Sequence, residues 1–172
     1  VDHDGVDLQA KVLGHETDLE HVTRVLAPIL DCYDAVADVP MPVLYRQLLA
    51  RYPEAKFLLL HRHAFEWLRS VRWKLRLGEF QPYVRTVYWT YFDRRPRRVE
   101  ELSDADLLWM HGQHLADVLA FFRRAGPGRL GVFDLHARDT GPRIAAFLGI
   151  ESQQPFPHLF PRPGRGADDQ AT

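Results

Sequence analysis

The sequence predicts an α/β fold built on a parallel sheet, and three stretches carry that reading. Lys56-Phe57-Leu58-Leu59-Leu60 is an apolar run bounded by Pro53 upstream, and it passes through His61-Arg62-His63 straight into a helical pattern. Residues 130–135 form a second apolar run, with a short helical pattern from Thr140, and residues 33–38 form a third, shorter and only partly apolar. Short apolar runs alternating with helical periodicity mark βα steps, whose ligands bind beyond the carboxyl ends of the strands. Arg62 stands at such a place.

Composition sets the outer bounds. A chain of 172 residues, 46% hydrophobic and 12% aromatic, has enough apolar surface for one folded domain and excludes disorder. The net charge of −1 gives no whole-chain attraction to nucleic acid or anionic membrane, so neither is expected as a partner, and any anion binding must be local. A single cysteine, Cys32, excludes an internal disulfide framework and fits a reducing compartment. No apolar run approaches 18 residues and the acidic start (Asp2, Asp4, Asp7) is unlike a signal peptide. The expectation is a soluble cytoplasmic protein.

Residues 1–16 read as an irregular lead-in, although the alternation of Leu8, Ala10 and Val12 also admits a short strand. Thr17-Asp18-Leu19-Glu20 has the form of a capping box, and Leu19, Val22, Leu26, Ile29 and Leu30 follow at helical spacing. Residues 33–38 then read as a strand ending at Val39-Pro40-Met41-Pro42. Pro42 suits the first position of a helix bearing Val43, Leu44, Leu48 and Leu49, which must stop near Tyr52 because Pro53 restricts its predecessor. After the run at 56–60, Ala64, Trp67, Leu68, Val71 and Leu75 make a buried stripe that Gly78 is expected to close.

Residues 80–102 break this rhythm with Phe80, Tyr83, Tyr88, Trp89, Tyr91 and Phe92, then Arg94-Arg95-Pro96-Arg97-Arg98. They read as a helical insertion over the sheet edge. Ser103 caps a long helix whose stripe includes Leu108, Leu115, Val118, Leu119 and Phe122 and which ends at Arg123, Arg124 and Gly126. The main domain is therefore expected over residues 17–152. From residue 153 the chain is rich in Pro, Gly and charge and reads as an irregular tail.

Chemistry enters at three residues. Arg62 at the strand's exit and Ser70 two turns into the next helix could grip a phosphate beside the helix amino terminus, where free amides and the dipole favour an anion. An arginine there also serves as an ordinary surface or ion-pair residue, and spacing alone does not choose. Asp38, at the end of the neighbouring run, either projects into the same crevice or caps the turn before Pro40. His61-Arg62-His63 and His111-Gly112-Gln113-His114 lack the carboxylate or cysteine pattern of a metal site, so no metal is expected. The aromatics at 83–92 serve packing or a binding platform, and the Arg94 to Arg98 run reads as a solvated loop. No G-x-S-x-G, Rossmann glycine or G-x-x-x-x-G-K-[ST] pattern occurs, which argues against hydrolase, dinucleotide and kinase chemistry.

Several motifs follow one another in order: Tyr33-Asp34-Ala35-Val36-Ala37-Asp38-Val39-Pro40, Leu44-Tyr45-Arg46-Gln47-Leu48, Tyr52-Pro53-Glu54-Ala55-Lys56-Phe57, and Arg62 with Trp67 and Ser70. Downstream come His114, Val118, Phe121-Phe122, Pro127-Gly128-Arg129-Leu130, Phe147-Leu148-Gly149 and Pro155-Phe156-Pro157-His158. Together, over residues 30–160, they resemble the P-loop-fold sulfotransferases.

The resemblance implies a three-layer α/β domain with helices flanking a parallel sheet. It implies transfer of a sulfuryl group from 3′-phosphoadenosine 5′-phosphosulfate to a hydroxyl or amine of a small-molecule acceptor. Arg62 and Ser70 would contact the donor's 3′-phosphate, Asp38 would be the catalytic base, and the aromatics at 80–92 would wall the acceptor side. Two departures accompany it. Nothing in residues 1–16 matches the glycine-rich loop that cradles the 5′-phosphosulfate, and His63-Ala64 replaces the usual Asn/Asp-Pro after the arginine. The chain, which begins at Val1, is expected to be a truncated or degenerate member; a catalytically inactive nucleotide-binding or interaction module is the alternative.

Overall fold

In the computed structural model, residues 7–76, 78–152 and 154 are described, and the motif at Pro155 to His158 lies outside them. They form a mixed α/β structure of seven α-helices and two β-strands, in two compact units. The larger takes the chain to Phe57 and then Arg62–Leu130; the smaller takes Leu58–His61 and the chain from Gly131.

In the larger unit, helix α1 (Leu8–Val12) begins where the Asp7 carboxylate accepts the amides of Gln9 and Ala10, so the strand allowed by the Leu8, Ala10, Val12 alternation is not formed. Val12 is fully buried. Helix α2 (Leu19–Leu30) is capped by Asp18, whose carboxylate accepts the His21 amide at 2.9 Å; the cap lies one residue beyond the expected Thr17. Val22, Leu26 and Leu30 form its inner stripe, and Pro28 lies inside the last turn, where it removes one backbone hydrogen bond two residues before the helix ends. A single 3₁₀ turn (Met41–Val43) leads into α3 (Tyr45–Arg51), which ends before Pro53 as the proline requires.

Residues 33–38 are not a strand. They are exposed loop, with Asp38 in the left-handed region at φ 72°. Asp and Ala are poor strand formers, and Asp, with Asn, is the side chain that best tolerates a positive φ.

Helix α4 (Ala64–Lys74) buries Leu68 and stops four residues short of Gly78. The aromatic segment that follows forms α5 (Pro82–Trp89) and a 3₁₀ turn (Val99–Glu101). It is core rather than a cover for a sheet edge: Phe80, Tyr88, Phe92, Val99 and Leu102 pack with Leu68 of α4 and with Leu107 and Met110 of α6 (Asp104–Ala125). Ser103 and Asp106 close a reciprocal capping box at the start of α6, and the Ser103 and Arg94 hydrogen bonds hold the Asp106 carboxyl down at about 2. A second cluster joins Val12, Val22, Leu26, Leu30, Val43, Leu44 and Leu48.

Two arginines hold these pieces together. Arg72 of α4 donates to the carbonyls of Val99 at 2.7 Å and Leu102 at 2.6 Å and to the Asp104 carboxylate at 2.7 Å. Arg85 of α5 donates to the Phe80 carbonyl at 2.8 Å and lies 3.5 Å from the buried carboxylate of Glu16. A buried carboxylate without a counter-charge is strongly unfavourable, so this pair fixes the α1–α2 connection against α5.

In the smaller unit, strand β1 (Phe57–His61) continues from the larger unit and pairs with β2 (Leu130–Asp134). The Phe57 amide donates to the Arg129 carbonyl and the Leu135 amide to the His61 carbonyl, the offset of a parallel pair. Gly131 is required beneath Phe133 and Phe147, because a Cβ there would stand 2.5 Å from the Phe133 ring. Helix α7 (Thr140–Leu148) ends on Gly149 at φ 80°, with the Ile150 amide returning to the Ala145 carbonyl in a Schellman closure. Leu58, Leu60 and Val132 remain 40–43% exposed. Among the described residues the sheet has two strands, which is smaller than the expected sheet.

Replacing Arg72 by Met leaves two carbonyls without their donor and is expected to cost about 2–3 kcal/mol in urea unfolding. Arg72→Lys should recover less than half, since an ammonium cannot span three acceptors. Full recovery by lysine would show that charge alone, without the guanidinium fork, suffices.

Candidate functional site

The β1–α4 junction is built from local chemistry. The apolar run ends at His61, Arg62 follows in extended chain, and α4 starts at Ala64. His63 takes the cap position: its Nδ1 accepts the Phe65 amide at 3.4 Å, while its carbonyl accepts Glu66 and Trp67, each at 3.0 Å. An imidazole thus does the work that the usual Asn or Asp would do, and the helix still begins directly after the arginine. Arg62 and Ser70 are both half-buried, and neither has a hydrogen-bond or ion-pair partner among the described residues. Seven residues of helix separate Ser70 from the His63 cap, about 10 Å along the axis and almost the same angular position. A cation at the helix start and a hydroxyl two turns along the same side, neither with a partner among the described residues, suit an anion with several acceptor oxygens.

Asp38 is placed differently from expectation. With no strand before it, it sits on the exposed loop between α2 and α3. Its carboxylate accepts the Val39 amide at 2.8 Å and its carbonyl accepts the Met41 amide at 3.0 Å, so it caps the turn before Pro40. No hydrogen bond or ion pair joins Asp38 to Arg62 or Ser70. The loop is nevertheless tied at its base. Tyr52 donates to Asp31 at 2.5 Å, and Arg51 donates to Asp31 at 2.7 Å and to the Tyr52 oxygen at 2.9 Å. These bonds, that of Tyr52 first, hold the Asp31 carboxyl below its ordinary range.

Sequence reasoning missed a polar cluster between α3 and α6. The Tyr91 hydroxyl and His114 Nδ1 are 2.8 Å apart, with the phenol donating when the ring proton sits on Nε2. The Tyr45 ring meets His114 edge-on at 6.5 Å, and Arg46 lies over Phe121 at 4.7 Å and over Tyr45 at 5.2 Å. Trp67 of α4 packs on His111 at 4.8 Å, one turn from Ser70 on one helix and one turn from His114 on the other. The hint in the sequence is the i, i+3 spacing of His111 and His114, which puts both rings on one face of a helix. Among the described residues no three His, Cys, Asp or Glu side chains converge as a metal site.

Burial, with the nearby His111, lowers the His114 pKa below 6.5, against the pull of Asp117. Burial likewise raises the Tyr91 and Tyr45 phenols, so both stay protonated at neutral pH. The folded chain therefore takes up the His114 proton later than the unfolded chain on acidification. Stability from this group is complete above about pH 6.5 and falls as the pH drops toward the folded-state value. Thermal unfolding between about pH 7.5 and 5 should show Tm decreasing, and His114→Gln, which still offers Tyr91 a partner, should flatten that decrease. An unaltered slope in the variant would assign the acid sensitivity to another group.

Comparison with known proteins places these features in a family. The sulfotransferase domain model matches residues 8–161. A protein described as Ava biosynthesis cluster protein M from Aspergillus versicolor is 34% identical over 155 residues, covering 81% of this chain and 59% of that relative, so the chain spans little more than half the length of this relative. No solved structure matches significantly. With the family model running from α1 through α7 and across the β1–α4 junction, the chain belongs to the sulfotransferase domain family.

Proposed function

We propose that this protein transfers a sulfuryl group from 3′-phosphoadenosine 5′-phosphosulfate to a hydroxyl or amine of a small molecule. The observation that carries the reading is Arg62 beside the His63-capped start of α4 and Ser70 two turns along the same helix, neither with a hydrogen-bond or ion-pair partner among the described residues, within the matched domain. These residues suit the donor's 3′-phosphate: the guanidinium supplies charge and a fork of donors, the Ser70 hydroxyl one more, and the helix start its dipole. The three-layer, P-loop-type arrangement is part of this proposal.

In the reaction the acceptor oxygen or nitrogen attacks sulfur in line and the bond from sulfur to the bridging phosphate oxygen breaks. 3′-Phosphoadenosine 5′-phosphate leaves and the acceptor proton passes to Asp38. One carboxylate oxygen of Asp38 accepts the Val39 amide, and the other is left for that proton. General-base help of this kind contributes about 10²–10⁴-fold, with positioning supplying more. Phe80, Tyr88 and Phe92 are buried in the core, so an aromatic acceptor wall within residues 80–92 would have to use half-buried Tyr83, Trp89 or Tyr91.

A second reading, a nucleotide-binding or interaction module that performs no chemistry, draws on the capping use of Asp38. Calorimetry with 3′-phosphoadenosine 5′-phosphate tests the first part: Arg62→Ala should weaken binding by at least about tenfold, the loss of one charge-assisted contact. No heat with the native chain, or equal affinity in the variant, would sink the nucleotide assignment. For the second part, Asp38→Asn should leave that affinity unchanged and lower sulfuryl transfer by about 10²-fold or more. Binding without turnover in the native chain would favour the module.

A further inference from the structure

The outward face of α4 combines features that the proposed transfer chemistry does not use. Phe65 is 61% exposed and Trp73 is 55% exposed, the largest apolar surfaces on this helix. Arg69, also exposed, lies between them at i+4, and all three fall within about 80° of arc, on the side turned away from the stripe of Trp67, Leu68 and Val71 that packs into the core. Arg76, just beyond the helix end, covers the Trp73 ring at 4.8 Å and donates to the Trp73 carbonyl.

Charge gathers on the same stretch. Residues 69–98 hold nine Arg or Lys side chains against two acidic ones, in a chain of net charge −1. Arg72, Arg85, Arg94 and Arg98 are committed to ion pairs. Arg69, Lys74, Arg95 and Arg97 have no ion-pair partner among the described residues. The loop joins the α4 end directly, because the Phe80 amide donates to the Arg97 carbonyl at 2.6 Å and Arg98 reaches Glu79. The whole-chain charge, from which no membrane attraction was expected, averages this concentration away.

We propose that the Phe65, Arg69, Trp73 face, with the cations of the 93–98 loop, is a peripheral docking surface for an anionic lipid bilayer. Exposed aromatic side chains flanked by unpaired cations match the interfacial region of such a bilayer, where rings sit at headgroup level and each cation is attracted by the surface potential. The face is the convex side of a helix, with two rings about 12 Å apart along the axis. Nucleic-acid single strands are held instead in grooves where successive bases stack. No helix among the described residues is long and apolar enough to cross a membrane, so the contact is one of surface attachment.

Co-sedimentation of the chain with vesicles tests this. Phosphatidylcholine vesicles containing roughly a third phosphatidylserine should bring the chain down, and pure phosphatidylcholine should not. Arg69→Ala should weaken binding about fivefold, Trp73→Ala and Phe65→Ala should each weaken it, and raised salt should release the protein. All three positions are exposed, and their thermal unfolding should match that of the native chain. The proposal is overturned by absence of binding to the anionic vesicles or by binding unaffected in Phe65→Ala and Trp73→Ala. It is equally overturned if a single-stranded oligonucleotide displaces the vesicles and loses its own affinity in Trp73→Ala, which would assign the face to nucleic acid.

Discussion

The guanidinium of Arg72 joins α4 to the segment before α6 and to the first turn of α6. Between α4 and α6 the backbone is mostly irregular, and a segment of that kind leaves carbonyls that regular structure would have paired. Side chains take them up: Arg72 serves Val99 and Leu102, Arg85 serves Phe80, and the Trp89 indole serves Pro96. Arg72 adds the Asp104 carboxylate in the first turn of α6, where a negative charge is favoured by the dipole. The rotation of α4 about its axis is thereby fixed against α6, and with it the directions in which Ser70 and the exposed aromatic stripe leave the helix.

The loop bearing Asp38 follows a related logic with different means. It has no sheet to hold it, and most of it lies in solvent, but Asp31 at its start and Arg51 and Tyr52 at the end of α3 are bonded to one another. Closing a loop at its base removes most of the conformations it could otherwise sample. Within it, Asp38 bonds its own turn, so the carboxylate proposed as a base is oriented by the backbone that follows it.

What could be read from the sequence was what local chemistry decides. The apolar run after Pro53, the Ser103 cap, the stop of α3 before Pro53 and the Gly149 closure depend on neighbours a few residues away, and each is found, whereas of the expected α6 stripe Val118 and Phe122 are buried beside Leu107 and Met110. The misplaced strand at 33–38 rested on three small apolar residues among aspartates, a pattern too weak to survive without a partner strand. Long-range polar contacts were illegible for the opposite reason. Nothing near Arg72 in the chain announces Val99 or Leu102, 27 and 30 residues away, and nothing near Tyr91 announces His114, 23 residues away. For the site, the β1–α4 junction was recognisable from the order strand, Arg62, helix. That His63 would cap the helix, and that Asp38 would stand on a loop, required the coordinates.

The parallel pair β1 and β2 closes a long loop. Its strands are separated by 68 residues, positions 62–129, which include α4, α5 and the whole of α6. Loop-closure entropy grows only slowly with length, so the pairing costs little more than a short crossover would, while the long separation raises the contact order of the chain. The exit of β1, where Arg62 stands, is thus positioned by a pairing that spans the whole helical segment.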